Sequence, residues 1–495
     1  MSALSDAIRD RRPDSTLAAR SPLHGLRRGS LGPADVVAQS VAAVAPAGVL
    51  LTHAGGLVRQ LGAFAFLALL ATSVIVMLVA LSLAIFGRRI AAAGGVYTFV
   101  TRGLGPVVGI AAGTAIAVGY GAMSIDTLRS GARRIAQLVA GPRADGPDPA
   151  LMIGVVLVVG AAITAVIVVG ARVSTRIMLV VEGVAVAAIL TLSFATLTAT
   201  GWDLAPLLPG AGAGPPPSAS AFAAGIALAL ASFVGFESGA ALAPETRRPL
   251  ATVPRALIWT AAALGLIYLF GVAAQVSASA HGATGPLGQT IVLPDSTWWG
   301  AATDAVIAAS WIACALACTN ALVRLVFTLA REGALPAWLG AASRRFGSPH
   351  RAAAVVGGLI SAGATALIVI GRDTLLGATI GVASSFGFIV AYLLLCAAAV
   401  RYLVRIGEFT LRESWPALVG AAALAMIVVV EWTGTTGDDH TGILVIVVLL
   451  LGVVGVHAWR LYRGALSPAR AGAYDTPIAA DAIAPAAAQK PAVRR

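Results

Sequence analysis

The chain has 495 residues, 58% of them hydrophobic and only 11% charged, with a mean hydropathy of +0.89. Soluble domains carry about 25% charged residues, so a water-soluble globule is excluded and lipid is the solvent for most of the chain. The net charge of +12 does not point to nucleic acid, because the basic residues sit in short loops and at both termini rather than in one patch.

Residues 1–32 are polar and arginine-rich, and they lack the basic region, apolar core and cleavage site of a signal peptide. They read as a disordered cytosolic tail. Apolar runs of about twenty residues, the length of a spanning helix, follow at roughly 34–54, 62–86, 105–128, 150–169, 175–199, 222–243, 253–276, 298–329, 352–370, 377–400, 415–432 and 441–462. These predict an all-α integral membrane protein of about twelve spans. Residues 465–495 are rich in Ala and Pro and read as a second disordered tail. With the N-terminus inside, 27 Lys and Arg fall on inner segments and 6 on outer ones, which places both termini in the cytosol of a plasma-membrane protein. The outer stretch 129–149, with Arg129, Arg133, Arg134 and Arg143, runs against that rule.

Span 1 reads DVVAQSVAAVAPAGVLLTHAGG and carries Pro46 at its middle, followed by Gly48. Proline removes a backbone donor and clashes with the preceding turn, and in lipid the freed carbonyls need other partners. A tolerated kink and a true break both fit. Span 6 has its own irregularity at Ser232-Phe233-Val234-Gly235-Phe236-Glu237, where glycine and a buried acid occur together. Two interrupted helices five spans apart match the pattern of inverted repeats. Residues of about 34–199 and 222–404 would be the two halves, with two helices over about 415–462 added. A half-helix beginning mid-membrane presents free N–H groups and a positive dipole end, which suit a carboxylate. The other half ends in free carbonyls, which suit an ammonium. Such a pair of ends fits a zwitterion, and an α-amino acid is the simplest one.

The third span shows Gly105, Gly109, Gly113, Ala117 and Gly121 at four-residue spacing, a stripe for close helix packing. Tyr120 and Met123 lie beyond it, where they would line a cavity. Glu182 falls within span 5, and an ionisable group at that depth points to function. Three roles fit it: proton acceptor, structural partner of Arg324, or an inert protonated acid. Glu237 is a second candidate for charge or coupling. Cys314, Cys318 and Cys396 lie in apolar runs without a CxxC pattern and read as small packing residues.

The stretch Phe233-Val234-Gly235-Phe236-Glu237, with Glu245 and then Pro249 to Pro254-Arg255-Ala256, resembles the sixth-span signature of the amino acid–polyamine–organocation permeases. Ala93-Gly94-Gly95-Val96-Tyr97 followed by Gly105 resembles the same family, as do Asn320-Ala321, Arg324 and Ala330 to Pro336. The resemblance covers residues 34 to about 410. It implies the five-plus-five inverted-repeat fold and secondary active transport, with a substrate site between spans 1, 3, 6 and 8. It further implies that backbone at Val44, Ala45, Ala47 and Gly48 holds the substrate carboxylate. Tyr120, Phe233, Val234, Gly235, Phe236 and Asn320 would complete the pocket. Glu245, Arg255 and Arg324 would serve the conformational change, with Glu245 fixing the cytosolic end of span 6. The turn beyond would be capped by Thr252, with Pro254 in the first turn of span 7.

Two departures stand out. Pro46 replaces a glycine common in relatives, so carboxylate binding falls to neighbouring amides. No lysine occurs in the membrane near Ala185, where some proton-coupled relatives have one, so Glu182 is the substitute candidate.

The loop FGRRIAAAGGVYTF between spans 2 and 3 has no acid, which argues against a major-facilitator carrier. HExxH, GxSxG and P-loop patterns are all missing, so an enzyme is not expected. The reading is a permease for amino acids or related amines, driven by protons or by exchange, embedded in lipid and needing no cofactor, metal or nucleic acid. The alternatives are a polyamine or organocation carrier and a transporter-like sensor that binds without translocating.

Overall fold

The computed structural model describes residues 21–141, 146–208, 216–282, 297–434 and 437–476. Among these, twelve helices are long and apolar enough to cross a membrane. They are Pro33–Thr52, Phe64–Gly87, Pro106–Ala140, Pro149–Val169, Ala171–Ala199, Ala219–Glu245, Pro249–Ala280, Trp299–Glu332, His350–Ile370, Leu375–Arg405, Leu411–Gly434 and Gly437–Tyr462, here spans 1 to 12.

Burial sorts them. In spans 1 and 8, 78% and 83% of the most apolar stretch is buried, against 22% and 17% in spans 11 and 12. Spans 1 and 8 therefore form the centre, while spans 11 and 12 lean on span 10 from outside and turn apolar side chains such as Met426 and Val448 outward. A helix that is apolar all round needs either a protein core or lipid to cover it, and the central and peripheral spans answer this differently.

Two short helices lie outside the expected runs, at Ala54–Leu61 and Val96–Leu104. The glycine stripe of span 3 is a packing seam. A Cβ on Gly113 would lie 2.7 Å from the Tyr97 ring, and one on Gly109 would lie 2.0 Å from Thr101 Oγ1. Span 3 also runs to Ala140, so Arg129, Arg133 and Arg134 stand on its last turns rather than in a loop. Arg143 lies outside the described residues. Span 7 begins at Pro249 in the N1 position, where its missing N–H is harmless, and Pro254 falls one turn further in. Thr252 does not cap it; its hydroxyl donates to the Arg247 carbonyl at 2.9 Å.

The inner parts of both tails are packed where disordered chain was expected. Leu23, Leu26 and Ala473 share an apolar cluster with Ala93 and Phe327. Leu31 N–H donates to the Glu245 carbonyl at 3.0 Å, and Arg247 N–H donates back to Leu31 O at 2.9 Å. On the C-terminal side, Asp475 accepts from Ser21 at 2.6 Å and from Arg28 at 2.5 Å. Its N–H donates to Ala91 O at 2.8 Å. The two tails thus clasp each other across the end of the bundle. Composition misses this, because each tail is ordered by a surface remote from it in sequence. Residues 1–20 and 477–495 lie outside the described residues.

Candidate functional site at two interrupted helices

Span 1 is helical over Pro33–Ala42 and again over Pro46–Thr52. Ala45, at φ 52°, turns the chain between the halves, and Pro46 occupies the first position of the second half. The proline therefore starts a half-helix instead of kinking a continuous one. Span 6 is helical over Ala219–Ala231, passes through a turn at Ser232–Gly235, and resumes as a 3-10 helix over Phe236–Glu245. The two breaks touch. Gly235 has φ 99°, and a Cβ there would lie 2.8 Å from the Ala43 carbonyl oxygen. Only glycine meets both the conformation and the approach.

Breaking a helix in lipid frees backbone groups, and each freed group must find a partner. The Ala43 carbonyl accepts from the thiols of Cys314 at 3.1 Å and Cys318 at 3.7 Å. These cysteines, expected only to fill space, also serve the break. Gly48 N–H donates to Ser310 Oγ at 3.4 Å, and that hydroxyl donates to Glu182 Oε2 at 3.3 Å. The Trp311 ring lies against Gly48, 2.8 Å from where a Cβ would stand. Gly235 N–H donates to the Tyr392 hydroxyl at 3.2 Å. Tyr392 in turn donates to Glu237, whose other oxygen accepts from Tyr120 at 2.6 Å.

The candidate residues therefore separate into three groups. Val44, Ala45, Ala47 and Gly48 flank the break of span 1 and Phe233, Val234, Gly235 and Phe236 that of span 6, all of them buried; the contact between the breaks is Ala43 against Gly235, while Gly48 packs on Trp311 of span 8. Phe233 packs edge-on against Tyr268, with ring centroids 5.0 Å apart. Glu237 and Tyr120 form a second group with Tyr392, beside a space of only about 10 Å³ that Gly95 and Ala241 also line. Asn320 belongs to a third group. Its amide donates to Gln39 Oε1 at 2.8 Å and its carbonyl accepts from Arg324. Arg324 also pairs with Glu245, and both side chains are buried. Arg324 therefore pairs with the end of span 6 and not with Glu182, the partner considered from sequence. Arg255 is exposed and has no ion pair among the described residues.

Glu182 is 2% exposed, and its Oε1 has no hydrogen-bond partner among the described residues. The Tyr268 hydroxyl is likewise buried and unpartnered. Buried polar atoms are rarely left so. Nearer the termini, the Tyr97 hydroxyl donates to Glu332, which also accepts from Ala473 N–H at 2.6 Å. Burial, and then the neighbouring Glu332 carboxyl, push the Tyr97 phenol upward, so it stays a donor.

Residue-by-residue reading of the sequence missed Gln39, Tyr268, Ser310, Trp311 and Tyr392. Ser310, Cys314 and Cys318 recur at four-residue spacing on one helical face, and that spacing was the available signal. Tyr268 and Tyr392 are single tyrosines in apolar runs, and nothing local sets them apart.

Residues 31–456 match the family model described as amino acid permease. The chain belongs to the amino acid permease family. Uncharacterized transporters of Mycobacterium bovis and Mycobacterium tuberculosis are 29% identical to it over 178 residues, which is 34% of this chain and 38% of theirs. The chain thus matches well under half the length of these curated relatives. Among solved structures, MhsT in complex with L-phenylalanine aligns with a TM-score of 0.57 at 17% identity, covering 82% of this chain and 98% of that one. That likeness shows the fold, an inverted-repeat arrangement with interrupted helices, and the permease is a multi-pass membrane protein.

Proposed function

We propose that this permease is a secondary active transporter that takes up amino acids or related amines across the plasma membrane by alternating access. The observation that carries the reading is the contact of the two breaks, Ala43 against Gly235, at the buried centre of the bundle. Backbone groups of both polarities released by the breaks meet there, held by side chains such as Cys314, Ser310 and Tyr392, and an exchange of those partners suits a carboxylate and an ammonium on one small molecule. The complex of MhsT, which shares the fold, with L-phenylalanine supports that substrate class.

Both termini lie on the cytosolic side in this reading, on the strength of the arginine distribution. The Tyr97–Glu332 and Arg324–Glu245 contacts then close the inner end. Glu182 is assigned as the proton-coupling group, because one of its oxygens has no partner among the described residues and the other reaches the Gly48 amide through Ser310. A proton arriving there would alter the chain of hydrogen bonds that ends on span 1.

Uptake by proteoliposomes tests the proposal. A mixture of labelled amino acids and amines would be offered with and without an inward proton gradient. Gradient-stimulated accumulation is the expected result. Uptake only against preloaded substrate would mean exchange, and saturable binding without flux would mean a sensor.

A further inference from the structure

At the end of the bundle opposite the termini lies a cavity of about 380 Å³. Small-ligand pockets run from roughly 300 to 1,000 Å³. Trp311 lines this cavity and also lies against Gly48, so the cavity adjoins the half-helix Pro46–Thr52 that follows the break of span 1. Four arginines line it, Arg129, Arg133, Arg134 and Arg372, against one carboxylate, Asp126.

Two of these cations are matched. Arg372 reaches Asp126 at 3.3 Å, and Arg134 reaches Asp304 at 2.6 Å. Arg129 and Arg133 have no ion pair among the described residues, and Arg129 Nε is enclosed without a hydrogen-bond acceptor.

Two structural explanations fall short. Cations do favour the last turn of a helix, where the dipole is negative. That accounts for none of Arg129, which stands about three turns before the end of span 3 at Ala140. Membrane topology works the other way, since arginine on this side opposes the rule that the rest of the chain obeys. A guanidinium in a recessed cavity attracts anions and binds carboxylates in a two-pronged fashion. It repels polyamines.

We infer that this cavity is an outer docking site for amino acids of net negative charge, with Arg129 and Arg133 receiving the side-chain carboxylate. The inference rests on the transport reading and narrows its substrate class to acidic amino acids, away from cationic amino acids and polyamines.

Isothermal titration of the purified full-length protein with L-glutamate, L-glutamine and putrescine tests it. Glutamate binding is expected, weakening as salt rises, with glutamine at least about tenfold weaker and putrescine silent. Arg129→Gln and Arg133→Gln should each weaken glutamate about tenfold. Arg133 is exposed, so its variant carries the test should Arg129→Gln fail to fold. Putrescine binding as tightly as glutamate, or unchanged glutamate affinity in Arg133→Gln, would overturn the docking site. Flux separates the two readings. Glutamate bound but never transported by proteoliposomes would sink the carrier and leave the docking site. Glutamine transported with no glutamate bound would do the reverse.

Discussion

Gly235→Ala is the sharpest test of the crossing at the centre of the fold. The new methyl would lie 2.8 Å from the Ala43 carbonyl oxygen and 3.1 Å from both the carbonyl carbon and the Ala43 Cβ. Carbon atoms settle at about 3.5–4.0 Å. The neighbours are mostly backbone, so no rotamer change relieves the overlap, and the two interrupted helices must part. Alanine at φ 99° carries a conformational cost of roughly 1–2 kcal/mol. Overpacking adds roughly 1–3 kcal/mol, for a combined loss of about 2–5 kcal/mol. Gly183→Ala is the control. Gly183 is exposed in span 5, and its added Cβ meets nothing within 4 Å. It should be neutral, or more stable by up to ~1 kcal/mol from helix propensity. Thermal unfolding of the purified variants in detergent reads both. If Gly235→Ala melts with the wild type, the breaks do not touch and the proposed site loses its geometric basis.

Three further outcomes follow from particular contacts. Glu182→Gln should leave uptake active but flatten its rise as external pH falls, since the amide cannot take a proton; a wild-type pH profile would reject the coupling role. Glu245→Ala strands Arg324 in the interior, where both partners are now 2–3% exposed, and should cost about 3–5 kcal/mol. An unchanged melting temperature would show that the pair is not buried. Truncation after Ser467 removes the Ala473 bond to Glu332, the Arg102 bond to Gly472 O at 3.0 Å and the Asp475 contacts, each worth ~1 kcal/mol net. It should lower the melting temperature, and an unshifted value would mean that the tail clasp contributes no stability.

Much of the fold was readable in the chain because lipid imposes so few solutions. A spanning helix needs about twenty apolar residues, and that length recurs often enough for a count to be made. The breaks were legible for a related reason. Pro46 removes a donor and Gly235 relaxes the backbone, so each marks an irregular point in its span, although a tolerated kink fitted Pro46 as well as the break that the structure shows. The charge on Glu182 stood out against its apolar surroundings.

Partnership was settled only by tertiary structure. From sequence, Glu182 and Arg324 were the two obvious intramembrane charges to join, yet Arg324 reaches Glu245 and Glu182 reaches Ser310. The three arginines near the end of span 3 are an exception to topology, and only the folded bundle shows that they share the wall of one cavity. The tails looked disordered until each met the other. The physical reason is common to all three. Hydropathy and backbone chemistry are local properties, so they can be read along the chain. Hydrogen bonds and ion pairs depend on which helix faces arrive opposite each other, and packing of the whole bundle decides that.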